Sequence, residues 1–470
     1  METLQRTANR GSVSTATTYE VANSCKFEKD NSERLQRAYG NIGTPTNADK
    51  FTLSIWLKRT ELQPSGEDIF FCGNAGAVTT LFAFQNDVLK FRTNSGDTEI
   101  KTNRVFRDTN AWYHIVIAYD STDSTEANRV KFYVNGVQET SLGTANYPTQ
   151  NADSEMFETN MSHFVGSPDG SQTAPGYYTE LYFLDGQVKQ ASDFGEFDSN
   201  SGIWKPIEYT GSFGDEGYYL DFENSSNLGL DVSGNSNSFG ALYGISAADQ
   251  ATDTCTNNFC TLNPLVNFKY TTNGITEGGT VFGDNTGGGV GGAFGTMAVT
   301  AGKWYWEVKL NQQSSHYIGV SAVDDGDNVY TSTDPQEENS TFRFNINAAR
   351  REYVNSGSQG YGSLDEFTDF HSTGDIISIA LNMDDNQISI YGNGTLQSGV
   401  ANTTLYDAAN KMVVPFHGTI NDECQYNFGG YSVWTPSSAA SDANGYGTFE
   451  YAPPSGYYAL CTKNLAEFGG

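Results

Sequence analysis

Residues 112–138, WYHIVIAYDSTDSTEANRVKFYVNGVQ, decide the fold of this chain. In an extended backbone Trp112, His114, Val116 and Ala118 fall on one side and Tyr113, Ile115, Ile117 and Tyr119 on the other. That is the signature of a strand covered on both faces. After a polar stretch, Val130, Phe132 and Val134 alternate with Lys131, Tyr133 and Asn135, and Asn135-Gly136 supplies the positive-φ residues of a tight hairpin turn. The same plan returns at residues 375–394, DIISIALNMDDNQISIYGNG: a two-sided apolar strand, a polar turn, an alternating strand and an Asn-Gly. A long sandwich strand followed by a hairpin is used twice.

The chain has 470 residues, which suits two all-β domains better than one core. Its 50 Gly, 27 Tyr and 29 Phe, with no long helix-period stretch, favour short strands joined by Gly, Asn, Asp and Ser turns. The formal charge of −30 argues against nucleic acid as partner, because phosphate binding needs clustered Lys and Arg; solubility is the simplest reading of it. No stretch is apolar enough to span a membrane, and the first residues, METLQRTANRGSVSTATTYEV, hold no apolar export segment. Six cysteines, at 25, 72, 255, 260, 424 and 461, form no CxxC pair and read as free thiols, with a small loop closed by Cys255 and Cys260 as the alternative for that pair.

In order along the chain, residues 1–20 form a polar, slightly basic N-terminal arm in which Arg6 and Arg10 stand out against an acidic background. The segments CKFEKDNSERL, FTLSIWLKR, AWYHIVIAYD, VKFYVNGV and GYYTELYFLDG then follow one another, with short strands expected at 68–72, 80–84, 88–92 and 99–102. The 51–59 strand is expected to have one face on a core. This series resembles a laminin-G-like, concanavalin A-like jelly roll over residues 21–205. The next stretch, DFGEFDSNSGIWKPIEYTGSFGDEGYYLDFENSSNLGLDVSGNSNSF and then DQATDTCTNNFCTLNPL, resembles a connecting module of tailed-phage structural proteins, particularly marine ones, and is assigned as a connector over 206–264.

The Gly-rich run 274–295 lacks a following Lys and is expected to be a hairpin or interface loop rather than a phosphate loop. GKWYWEVKL at 302–310, YIGV at 317–320, the 375–394 segment and VVPFHGTI at 413–420 together resemble the SPRY domain, a second antiparallel sandwich, over residues 265–470. That resemblance implies protein recognition through edge loops. The fold class expected is therefore all-β: two antiparallel β-sandwich (jelly-roll) domains in tandem after a short N-terminal arm.

Among concanavalin A-like folds, glucan hydrolases need paired carboxylates about 5 Å apart on one strand. Glu196-Phe197-Asp198 comes nearest, has Ser201 where the third acid belongs, and is expected to lie in a loop. The five histidines, at 114, 163, 316, 371 and 417, are scattered, and His114 reads as a core residue. No nucleophile, base and acid set has a local signature. No cofactor is expected. Asp324, Asp325 and Asp327 are a weak calcium candidate, since the laminin-G-like resemblance implies calcium at a loop rim; Asp384-Asp385-Asn386 is explained by turn chemistry. Tyr330 and Trp434, in expected loops, are the candidates for stacking on a glycan, whereas Trp56, Trp112, Trp304 and Trp306 belong to strands.

The resemblances imply a virion structural protein, a fibre, spike or capsid-decoration subunit, rather than an enzyme. Its expected partners are other virion proteins of capsid or tail, held through the arm at Arg6 and Arg10, and a host surface glycan or protein. A homo-oligomer, with a trimer as one form, is expected, without nucleic-acid binding or membrane insertion. A polysaccharide-degrading enzyme and a SPRY-type interaction adaptor are the alternatives.

Overall fold

The computed structural model describes residues 19–469 apart from 30, 63–65, 94–95, 159, 266–273, 284–289, 312–314, 324–340, 356–357, 368–369, 371, 406–410 and 421–422. The chain divides into two compact units, Ser14–Thr256 and one holding Asn257–Gly470. Both are built of mainly antiparallel sheets, with Tyr458–Ala459 paired parallel to Lys303–Leu310, and a single α-helix, Thr462–Phe468, occurs among the described residues. The six cysteines are free thiols.

In the first unit two eight-stranded sheets face each other. One runs Val137–Glu139, Val130–Val134, Trp112–Asp120, Lys50–Arg59, Gly176–Asp185, Ser24–Phe27 and Gln250–Ala251, with Tyr218–Leu220 also paired to Gly176–Asp185. The other runs Leu142–Asn146, Thr98–Val105, Val88–Thr93, Val78–Gln85, Glu67–Asn74, Ser162–Val165, Arg34–Arg37 and Ala241–Tyr243. Tyr113, Ile115, Ile117 and Tyr119 point into the core between them, beside Phe51, Leu53, Ile55 and Leu57. Phe51 stacks on Tyr119 at 5.1 Å and on Phe183 at 5.6 Å. Such ring pairs add about 0.5–1.5 kcal/mol each beyond the area they bury. The hairpin turn has Asn135 at φ +47° and Gly136 at +82°, the left-handed pair its sequence calls for.

Two sequence expectations change here. The Lys50–Arg59 strand is covered on both faces rather than one: Thr52, Ser54, Trp56 and Lys58, on the face away from the core, are at most 4% exposed. The cover comes from residues 186–256, most of which had been assigned to a connector. They are part of the first unit, because Tyr218–Leu220, Ala241–Tyr243 and Gln250–Ala251 each hydrogen-bond to one of its strands. The rest of that stretch, from Asn257, packs with the second unit, where Phe259 bridges Cys461 and Leu262 bridges Gly295. Alternation within a strand reports that a face is covered, not which later segment covers it.

The second unit pairs a nine-stranded sheet, Ile275–Thr276, Val281–Gly283, Glu423–Asn427, Lys303–Leu310, Ile376–Asn382, Gln387–Gly392 and Thr395–Leu396 with Thr403–Thr404 and Tyr458–Ala459 attached, to a six-stranded one. The latter runs Val290–Phe294, Val413–Ile420, Ser315–Ala322, Thr341–Asn345, Arg350–Asn355 and Ser358–Tyr361. In the Gly-rich run expected to be a hairpin or interface loop, Ile275–Thr276 pairs antiparallel with Val281–Gly283, and Val290–Phe294 is a strand paired to Val413–Ile420; the three consecutive glycines lie outside the described residues. Trp304, Trp306, Val308, Ile377, Ile379 and Leu381 fill the core. Asn393 and Gly394, at φ +46° and +77°, repeat the turn of the first unit.

Candidate binding surfaces

The outer face of the first sandwich is organised by His114. Trp56 stacks on its ring at 4.8 Å and Trp204 at 5.9 Å, each about parallel to it. Trp204 Nε1 donates to His114 Nδ1 at 3.0 Å, which makes Nδ1 the acceptor. Nε2 then carries the proton and donates to Ser54 Oγ at 2.9 Å. Burial pushes the imidazole down to about 3, so it stays neutral. The core role read from the sequence holds, on a second, aromatic layer outside the sheet.

Trp204 belongs to a small hairpin, Gly195–Phe197 paired with Trp204–Pro206. It fits there because Gly136 and Gly195 have no side chain: a Cβ on either would lie within 2.5 Å of the indole. Phe197, directly across from Trp204, meets it edge-on at 4.9 Å and is 52% exposed. A large apolar ring is thus presented to solvent on a braced base, with Glu196, Lys205 and Asp198 around it. Lys205 Nζ lies 3.2 Å from Glu196 and 3.5 Å from Asp198. The backbone and hydroxyl of Ser201 hold the Asp198 carboxyl below its ordinary range. Glu196-Phe197-Asp198 had been expected in a loop; Gly195–Phe197 is a strand, because the polar DSNSG stretch turns the chain so that EF and WK alternate against each other.

Near this layer, Glu180 takes φ +50° at the bulge in Gly176–Asp185. Its buried carboxylate accepts from Tyr182 at 2.6 Å, Tyr219 at 2.6 Å and Tyr19 at 2.9 Å. Burial raises its pKa against those three donors. A non-glycine residue in the left-handed region costs on the order of 1–3 kcal/mol, which the three hydrogen bonds offset.

In the second unit the exposed apolar side chains include Tyr361 at 50% and Leu364 at 64%. The Arg350 guanidinium sits 4.3 Å over the Tyr361 ring and pairs with Glu352 at 2.8 Å.

Of the residues singled out from sequence, Arg6, Arg10, Tyr330, Asp324, Asp325 and Asp327 lie outside the described residues. Trp434 does not fit a stacking role: it is only 8% exposed, and Lys309 Nζ stands 5.7 Å from its ring centre. Its loop folds back on the sheet, which proximity to a loop in sequence does not reveal. The exposed Phe197 and the partly buried Trp204 beneath it were missed as a pair. The signal was two short alternating runs flanking DSNSG. Among the described residues no group of three or more His, Cys, Asp or Glu is placed to hold a metal ion.

Comparison with known families defines the class. Residues 36–192 match the model of the Concanavalin A-like lectin/glucanases superfamily, and residues 303–431 match that of the SPRY domain. The first match lies in the first sandwich and the second in the second sandwich, in keeping with the two antiparallel jelly-roll-type folds. Solved structures similar to the chain include the SPRY domain of human HERC1 (17% identity, 35% of this chain and 96% of that one, TM-score 0.25). Another is the TRIM65 PSpry domain (13% identity, 35% and 87%, TM-score 0.27). No curated protein matches the chain.

Proposed function

We propose that the chain is a virion structural protein of the tailed-phage kind, a fibre, spike or capsid-decoration subunit, that displays its two sandwiches for attachment to host surface glycans or proteins. The observation carrying the attachment role is Phe197, half exposed on a hairpin whose base is locked by the Trp56–His114–Trp204 stack. A braced apolar ring bordered by charged groups suits the face of a sugar ring, because little side-chain freedom is lost on binding. The phage assignment rests on the resemblance of the stretches DFGEFDSNSG…NSNSF and DQATDTCTNNFCTLNPL to a phage connecting module, and the arm with Arg6 and Arg10 is its proposed anchor on other virion proteins.

The role is one of binding rather than catalysis. Glu196 and Asp198 share one lysine, Lys205, an arrangement suited to an ion pair rather than to the acid and base pair of glycoside cleavage. Two measurements test the reading. Antibody-labelled particles viewed by electron microscopy should carry the protein on their surface, and a glycan array should detect ligands that Phe197→Ala loses. Particles without label, or array binding untouched by that change, would overturn the respective half.

A further inference from the structure

The start and the end of the first sandwich meet at a buried triad. Lys26 lies on Ser24–Phe27, and Asp249 ends the 3-10 turn Ala247–Asp249 that leads into Gln250–Ala251, the strand paired with Ser24–Phe27. Lys26 Nζ is 2.9 Å from Glu33 Oε1 and 3.2 Å from Asp249 Oδ1. All three side chains are buried. The other oxygen of Asp249, Oδ2, accepts from the Ser246 N–H at 2.8 Å and from Ser246 Oγ at 3.2 Å. Glu33 is held in place by the Glu28 N–H at 2.7 Å on Oε2 and by Asn31 Nδ2 at 3.2 Å on Oε1.

We propose that this triad forms an isopeptide bond between Lys26 and Asp249, with Glu33 carrying the proton. One amine nitrogen faces two carboxyl groups in a buried site, 2.9 and 3.2 Å away, and moving one proton from Nζ to Oδ1 of Asp249 turns the ion pair into the amine and acid that condense. In keeping with this, burial raises Glu33 to about 7 despite the lysine beside it, and the Asp249 charge adds to the rise. The neutral Nζ attacks Cγ of Asp249 and the new C–N bond forms. Charge developing on Oδ2 falls where the two Ser246 donors already point. Glu33 takes a proton from Nζ and passes it to Oδ1, the C–Oδ1 bond breaks, and water leaves. Amine and acid become amide and water, with no oxidant, reductant or cofactor.

The folded chain supplies the encounter, which is why an uncatalysed condensation becomes feasible here. The bond ties the first strand of the sandwich to its last. Load entering at one end of the unit would then pass to the other through a covalent link instead of through strand pairing.

Peptide mapping of the purified full-length protein tests this. The expected result is a branched peptide joining the Lys26 and Asp249 segments, lighter than their sum by one water, with Lys26 resistant to trypsin. Asp249→Ala should abolish it, Asp249→Asn should form it with loss of ammonia instead of water, and Glu33→Gln should leave two linear peptides. Full recovery of linear peptides from the unaltered protein overturns the proposal, as does a link to Glu33 in place of Asp249. The map of the unaltered protein decides the matter even if a variant fails to fold.

Discussion

On the outer face of Lys50–Arg59 in the first sandwich, Lys58 is buried against Asp253 at 2.8 Å, whose second oxygen accepts from Trp112 Nε1 at 3.0 Å. On the outer face of Lys303–Leu310 in the second, Glu307 is buried under the N–H groups of Glu450 and Tyr451 at 2.9 and 2.8 Å, with Tyr305 and Asn427 adding side-chain donors. In both units the cover is the stretch that follows the last long strand. The first unit fastens it with ion pairs between side chains, including Arg37–Glu216 at 2.6 Å, and the second chiefly with a carboxylate on backbone amides. An ion pair needs both partners, whereas a carboxylate on amides needs only that the covering backbone stay in place. The first lock should therefore fail more sharply when one side chain is lost.

The largest effect should come from Lys58→Met. It leaves Asp253 buried without its cation and should destabilise the first sandwich by about 3–5 kcal/mol, while Lys58→Met with Asp253→Leu should recover much of the loss. Denaturant unfolding followed by peptide-resolved hydrogen exchange reads each sandwich separately. A loss below about 1 kcal/mol in the single variant would erase the contrast.

Glu307→Gln should cost the second sandwich about 1–3 kcal/mol, because the amide turns an NH₂ toward donors that the carboxylate accepted from. Hydrogen exchange should rise first at residues 448–451. The change also sharpens the comparison through pH. Burial lifts Glu307 from 4.5 to about 7, so its contribution is fully present below 4.5 and is lost as pH climbs through 7. Glu307→Gln should remove that slope from the second sandwich alone. In the first, Asp68 at about 6 and Glu33 at about 7 give a slope of the same sign, which should remain. On the acid side His114 and His163, both pushed down to about 3 by burial, withdraw stability from the first sandwich as pH falls below 6.5.

A smaller loss, about 1–2 kcal/mol, is expected for Gly136→Ala, which places a methyl group at φ +82° and into the Trp204 ring. Its marker is the indole: displaced from His114, Trp204 should shift its fluorescence. Phe197→Ala should change stability by no more than about 0.5 kcal/mol, since the ring is half exposed, and any lost glycan binding then reports the surface itself.

The two long strands, their hairpins with Asn135-Gly136 and Asn393-Gly394, and the two cores were legible because a period of two and a left-handed turn are local properties of the chain. Lys303–Leu310, Ile376–Asn382 and Val413–Ile420 lie where their sequences place them. The exposed Phe197 and the buried Trp434 were not legible, because exposure depends on which distant segment lies above a residue. Sequence by itself determined that Trp112–Asp120 would be covered on both sides. Only the tertiary structure decided that residues 186–256 do the covering, since polar, Gly-rich chain carries no periodicity of its own. Its position is set instead by partners far away in sequence: Lys58 for Asp253, Lys26 for Asp249 and Arg37 for Glu216.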